Sequence, residues 1–415
     1  MTPLPESTLA LCFACILLTP CAAAGLALTN AGLGRSRNAS HSLLSTLAVF
    51  ASAALVYFAV GFAWLGYSGR PEHDVTLAGN VWNWSGAERF LMRGVQFDGS
   101  ALSLAAVLGM VSAGLVSIIP LGAAAERWRL GSACASTALL AGWTFPLFAH
   151  WSWGGGWLAH FKFIDSGGGA SIHAIGGLTA LSMAWILGPR RGKFEGPMPA
   201  AIPGHSAAFV LFGCFLAWLG WMAMDCAGAI LYTGIAIARV PLVAVNATLA
   251  AGSAMLVAIA ITRLRFSKID ASLSANGWVA GLAASSAGCA AIRPAAAVLI
   301  GAIAGALVIF SVEWLEFHFK VDDPGGAISV HGLSALWGLL ATGMFAAGQD
   351  QWIAQLVGVS TLIGFVLPLT YGLNWLLNLV SPQRIAPEGE RQGLDLHELG
   401  AGAYPDFVSH NEDMA

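Results

Sequence analysis

Residues 165–173 read DSGGGASIH and residues 323–331 read DPGGAISVH, so five of nine positions are identical. Each stretch opens on an aspartate, carries glycines two and three positions on, holds Ser171 or Ser329, and closes on His173 or His331. A carboxylate and an imidazole at a fixed spacing suit proton transfer, hydrogen bonding to a small polar solute, or metal ligation. A metal site is not expected: eight residues, two helical turns, separate each Asp from its His, and no third ligand is evident. Nor does the chain show a nucleophile–base set or a cofactor fingerprint, so it reads as neither an enzyme nor a cofactor protein.

What must position these pairs is legible in composition. The 415 residues are 57% hydrophobic and 10% charged, with a mean hydropathy of +0.72. Soluble domains carry about 25% charged residues, so this is the composition of an integral membrane protein. Fifty glycines suit helices that approach closely through small residues. A net charge of −3 is too small to suggest a nucleic acid or an acidic substrate. The seven cysteines sit in apolar segments without metal-ligand spacing and read as buried packing, with no disulfide framework implied. The first apolar stretch lacks a basic n-region and outruns a signal-peptide core, so it reads as a retained helix.

A membrane span needs ~20 mostly apolar residues. Polar punctuation then gives eleven spans, at roughly 7–30, 42–68, 99–124, 131–150, 169–187, 204–225, 241–261, 275–291, 294–313, 328–347 and 352–380. Thirteen of the 19 Lys and Arg follow odd-numbered spans, among them Arg35, Arg127, Arg190, Arg263, Lys320 and Arg384. By the positive-inside rule those loops are cytoplasmic, which leaves the N-terminus outside and the C-terminus inside. Span five then enters from the outer face and span ten from the inner one. The same motif is used in opposite directions, the mark of an inverted repeat of five plus five spans with an eleventh added.

Eight residues of helix rise ~12 Å, and the hydrocarbon core is ~30 Å thick. His173 and His331 are therefore expected to meet near the midplane, where ionisable groups line pathways or pair with one another. Asp323 followed by Pro324 reads as a helix start, with Asp as N-cap and Pro at the first helical position. Asp165 also fits an N-cap, and a second role in attracting a cation stays open. The preceding loop, HWSWGGGWLAHFKFID, is either an interfacial aromatic belt or a place where a Trp face meets a cation.

Further fragments join these motifs: AER at 125–127, WGGG at 153–156, LGW at 219–221, VDDP…VHG at 321–332 and GLDLHELGAGAYP at 393–405. Together, and in this order, they resemble the Amt/Rh ammonium transporter family on its Amt side. The resemblance implies an all-α membrane protein of eleven helices with the Amt/Rh channel fold, a homotrimer with one narrow hydrophobic pore per protomer, in the cell's inner (plasma) membrane. Ammonium would be recruited at an outer aromatic site, lose its proton and pass the twin histidines as ammonia. Carried onto this chain, Trp153 is the outer cation–π residue and Asp165 its supporting carboxylate. His173 and His331 are the pore histidines, and Trp221 stands where the family keeps a pore-lining tryptophan.

The chain also departs from that pattern. Two stacked phenylalanines usually gate the pore; their places fall on Ser112 and Met224. The family's serine at the outer site falls on Gly228, within a run that reads DCAG. Phe97 and Phe90 are candidate substitutes for the missing rings. A thinned gate leaves a second possibility, an ammonium-sensing or weakly conducting relative that signals through its tail. The expected division is a transporter domain at 1–381, with repeat one at about 7–188, repeat two at about 204–347 and the final helix at about 352–380, followed by a cytoplasmic tail at 382–415. By composition the tail reads as a disordered terminus. The resemblance implies instead that Gly393, Leu394, Asp395, Gly400, Ala403 and Tyr404 pack it on the bundle, couple protomers and help dock a PII-type regulatory protein. Leu399 and Ala401 depart from the family's His and Glu there.

Overall fold

Apolar runs of this length have no water to bond their backbones in a bilayer, so each satisfies its N–H and C=O groups internally as a helix. The computed structural model describes residues 4–67, 74–77, 79–348 and 350–404. Among them lie α1 (Glu6–Leu33), α2 (Ser36–Leu65), α3 (Ala101–Ala123), α4 (Leu130–His160), α5 (Gly169–Leu187), α6 (Ala207–Thr233), α7 (Ile237–Phe266), α8 (Ala271–Ser286), α9 (Pro294–Phe319), α10 (Ile328–Phe345) and α11 (Gln351–Val380). A short antiparallel hairpin, β1 (Asp74–Leu77) with β2 (Asn80–Asn83), separates α2 from α3.

Ten of these helices, among the described residues, are long and apolar enough to cross a membrane. The exception is α8, 16 residues where the sequence predicts a span over 275–291. Its end is opened for a purpose: the carbonyls of Ser286 and Ala287 accept the N–H groups of Gly167 (3.1 Å) and Ser166 (2.8 Å). The loop entering α5 is thereby tied to α8. The other half repeats the device, with the Gly325 N–H donating to the Gly122 carbonyl at the end of α3, 3.0 Å away. Gly167 and Gly325 hold the same place in the two nine-residue motifs.

The two halves run in opposite senses. Arg127, just past α3, donates to the Gly188 carbonyl at the end of α5 (2.7 Å) and to the Asp322 carbonyl ahead of α10 (2.9 Å). The end of α5 and the start of α10 therefore share one face of the bundle. At this face the chain turns back after α11 and residues 382–404 pack on the helix ends through α12 (Pro387–Gln392) and α13 (Leu394–Leu399). The Asp395 carboxylate accepts the backbone N–H groups of Ser40 (3.2 Å) and His41 (2.7 Å), while Leu394 N–H donates to Asn38 Oδ1 (2.8 Å). The disordered terminus suggested by composition does not hold for these residues; 405–415 lie outside the described ones.

Candidate functional site

The two motifs deliver their histidines to each other. His173 Nδ1 lies 2.8 Å from His331 Nδ1, with the rings nearly parallel at 8° and both side chains buried. Trp221 of α6 stacks on the His173 ring at 4.8 Å and lies 5.6 Å from that of His331. The meeting depends on how closely α5 and α10 cross. A Cβ on Gly177 would sit 2.1 Å from the Gly332 nitrogen, so bare backbone touches backbone one turn past His173 and one residue past His331. Gly177→Ala forces that crossing apart. The expected outcome is a destabilisation of about 1–3 kcal/mol from overpacking, read as a lowered melting temperature, with transport impaired.

The route to this geometry differs from the one drawn from sequence. No eight-residue helical ramp runs from Asp to His. Helix begins four or five residues after each aspartate, and as a π turn, Gly169–Ala174 in one motif and Ile328–Leu333 in the other. Such wide turns are rare and cluster at functional positions. Asp323 caps its helix through Ala327 N–H (2.9 Å) and Ile328 N–H (2.8 Å). Pro324, however, is not at the first helical position. It sits in a turn closed by Gly326 N–H on the Asp323 carbonyl (3.0 Å), because the chain must first bring Gly325 to the end of α3.

Asp165 is likewise a cap, and a fully engaged one. Its carboxylate accepts Ala170 N–H (2.9 Å), Ser171 N–H (2.9 Å) and Ser171 Oγ–H (2.7 Å). Its carbonyl accepts the indole N–H of Trp153 at 2.7 Å, which fixes the ring at the break in α4. Trp153 is buried, and one of its faces is covered: Tyr232 stacks on it at 4.4 Å and 4°. Phe145 meets the same ring edge-on at 6.3 Å. Gly228 lies between these centres. A Cβ there would meet the Ser166 carbonyl at 2.5 Å, so the loop carrying Asp165 occupies the space a serine side chain would use.

Ser112 and Met224 come together, both fully buried, with Ser112 Oγ 3.7 Å from Met224 Sδ and hydrogen-bonded to the Leu108 carbonyl (2.7 Å). Phe97 and Phe90 do not serve as replacement rings, since they stay at the surface, 67% and 40% exposed. Aromatic bulk instead comes from Tyr57, packed against Gly109 one turn from Ser112, and from Phe145, Trp153 and Tyr232.

Sequence reasoning passed over Tyr232, Tyr57, Asp225 and Ser286. A signal for two of them was present. Starting from Trp221, the positions i+4, i+7 and i+11 on α6 are Asp225, Gly228 and Tyr232, one stripe of a helix that is buried as far as Gly228 and half-buried at Tyr232.

The model of the Ammonium Transporter Family matches residues 8–404. The chain is 34% identical to "Ammonium transporter Amt2" of Archaeoglobus fulgidus, over 94% of this chain and 86% of that one. It is 29% identical to "Ammonium transporter" of Bacillus subtilis, over 95% and 98% of the respective chains. A solved structure titled "Sensor Amt Protein" matches with a TM-score of 0.85 and 28% identity, covering 94% of this chain and 98% of that one.

Proposed function

Because this chain belongs to the ammonium transporter family, we propose that it moves ammonium nitrogen across the membrane through a pore centred on His173 and His331. The observation that carries this reading is the Nδ1–Nδ1 contact of 2.8 Å. A hydrogen bond between two Nδ1 atoms makes one ring the donor and the other the acceptor. The neutral rings are thus held in opposite tautomers, one offering a bare Nε2 and the other an Nε2–H. Ammonia both donates and accepts, so such a pair fits it, while a desolvated ion pays a heavy penalty among buried apolar walls.

In this reading Trp153 and Asp165 form the entry site, with the cation left the face of Trp153 that Tyr232 does not cover. Trp221 and Gly228 line the way inward and Ser112 with Met224 form the constriction. The division into a transporter domain at 1–381 and a tail at 382–415 goes with it, as do a homotrimer, an inner-membrane location with the N-terminus outside, and a cytoplasmic tail. Docking of a PII-type protein would use that tail, and the substrate carried through the pore is ammonium/ammonia. Expression in a host lacking its own ammonium transporters tests the proposal: growth on low ammonium is expected, and none despite folded protein in the membrane would overturn it.

A second reading, an ammonium-sensing or weakly conducting protein, is favoured by the gate residues and by the likeness to a structure titled as a sensor. The gate itself is testable. Ser112→Phe combined with Met224→Phe is expected to raise discrimination for ammonium over methylammonium and potassium in a liposome flux assay. Equal discrimination by the two pores would show that the existing aromatic cluster already closes the passage.

A further inference from the structure

One buried acid lies outside the scheme above. Asp225 is 1% exposed in the middle of α6. Its Oδ1 accepts Ser286 Oγ–H at 2.6 Å, at the opened end of α8, and lies against Gly167. Its Oδ2 is buried with no hydrogen-bond partner, and no Lys or Arg pairs with it among the described residues. The other titratable groups facing it are Asp165 on the capping loop and the thiols of Cys226 and Cys289. A buried carboxylate without a cation is costly unless it takes up a proton or meets a positive charge.

Its surroundings say which charge. The α6 stripe runs from Tyr232, stacked on Trp153, through Gly228 and Asp225 to Trp221, stacked on His173. Along it, Tyr232 Oη, Asp225 Oδ2, Trp221 Nε1 and His173 Nε2 are all buried without a partner. Twelve buried side-chain atoms among the described residues lack a partner, and four of them follow one another along this line. Since more than about 90% of buried polar groups are satisfied within a protein, such a row suits bonds made to a passing solute. Of the carboxylates between Trp153 and His173, Asp165 has its oxygens committed to the helix cap, whereas Asp225 keeps one free.

We infer that Asp225 Oδ2 is the proton acceptor of transport, taking the proton from an ammonium ion that has passed Trp153. One N–H bond breaks and an O–H bond forms on Oδ2; the nitrogen keeps the electron pair and moves on to His173 as ammonia. Oδ2 then passes its proton to water, which carries it to the receiving side apart from the ammonia, so that one positive charge crosses per cycle and the carboxylate is restored before the next ammonium arrives. This inference rests on the transport reading above and assigns the deprotonation step within it to a residue other than Asp165.

Purified full-length protein in liposomes tests it, with ammonium-evoked current and neutral ammonia flux (luminal alkalinisation under an ammonia gradient) measured across a pH series. Asp225→Asn keeps the size and the Ser286 bond while removing the acceptor. It is expected to lower the current at least tenfold and to flatten its pH dependence, while ammonia flux persists. Ser286→Ala keeps the carboxylate but removes a donor that favours its charged form, so the pH profile of the current should move to higher pH; this variant decides the matter if Asp225→Asn does not elute as a folded species. A wild-type current and pH profile in both variants overturns the inference, as does a parallel loss of current and ammonia flux, which would mark Asp225 as merely structural. Absence of current and flux in the unmodified protein would instead overturn the transport reading itself.

Discussion

Replacing His173 with alanine is expected to abolish ammonium-dependent growth and uptake while leaving the helical bundle assembled. The His173 ring is bonded only to the other histidine, Nδ1 to Nδ1 at 2.8 Å. Its removal leaves His331 Nδ1 buried and unpaired, at about 1–3 kcal/mol, which a protein of this size survives. What does not survive is the enforced pair of opposite tautomers. With one ring gone, the other adopts either tautomer, and the line of polar contacts from Trp221 onward is broken. His331→Ala should behave alike, and the double variant should be no worse than either single one, because the rings act as a unit. Uptake of labelled methylammonium by membranes with matched protein levels is the measurement. Near-normal uptake by His173→Ala would remove the twin-histidine pore from the mechanism.

Loss of Asp322 should be the most damaging single change to stability. Its carboxylate holds Arg190 by Nε (2.9 Å), a terminal nitrogen (3.0 Å) and the backbone N–H (2.8 Å), and Arg127 lies 3.8 Å away. Arg127 is fully buried, Arg190 is 4% exposed, and Glu126 pairs with both Arg190 and Arg35. Asp322→Ala takes the nearest carboxylate from two buried guanidiniums, leaving Arg190 with Glu126 at 3.7 Å and Arg127 with backbone carbonyls alone. It is expected to cost about 3–5 kcal/mol, seen as a marked drop in melting temperature in detergent. The exposed pair Arg391–Glu388 provides the contrast, since breaking it should change the melting temperature little. Acid gives a second test. Burial alone would push the Asp322 carboxyl up, but Arg190 and Arg127 more than reverse this and hold it below its ordinary 3.8. A depressed folded value means the contribution is complete above about pH 3.8 and is lost as the pH falls through the lowered value. Asp322→Asn should therefore show a flatter loss of stability across that window.

The membrane class, the antiparallel halves and the histidine pair were legible because each rests on a one-dimensional signal. Hydropathy gives the spans, and a repeated motif gives the symmetry. What escaped depends on three-dimensional closeness. Nothing local in Ser286 announces that its helix will stop early to receive Gly167. Pro324 looks like a helix start until Gly325 is seen to be needed at the end of α3. Tyr232 lies 79 positions from Trp153, so its stacking cannot be read from spacing. Asp225 was visible as a letter in DCAG, but only burial and an unpaired oxygen give it a role.

The docking of Asp395 on α2 bears on how the protein is made. The N–H groups of Ser40 and His41, near the start of α2, are satisfied by a carboxylate 355 and 354 positions later in the chain. While the ribosome is still extending the chain, α2 is already inserted with that end uncapped. Only when residues after α11 emerge is the earliest hairpin locked to the latest segment. A chain broken off after Val380 lacks Asp395 and leaves the Ser40 and His41 N–H groups of α2 without this partner.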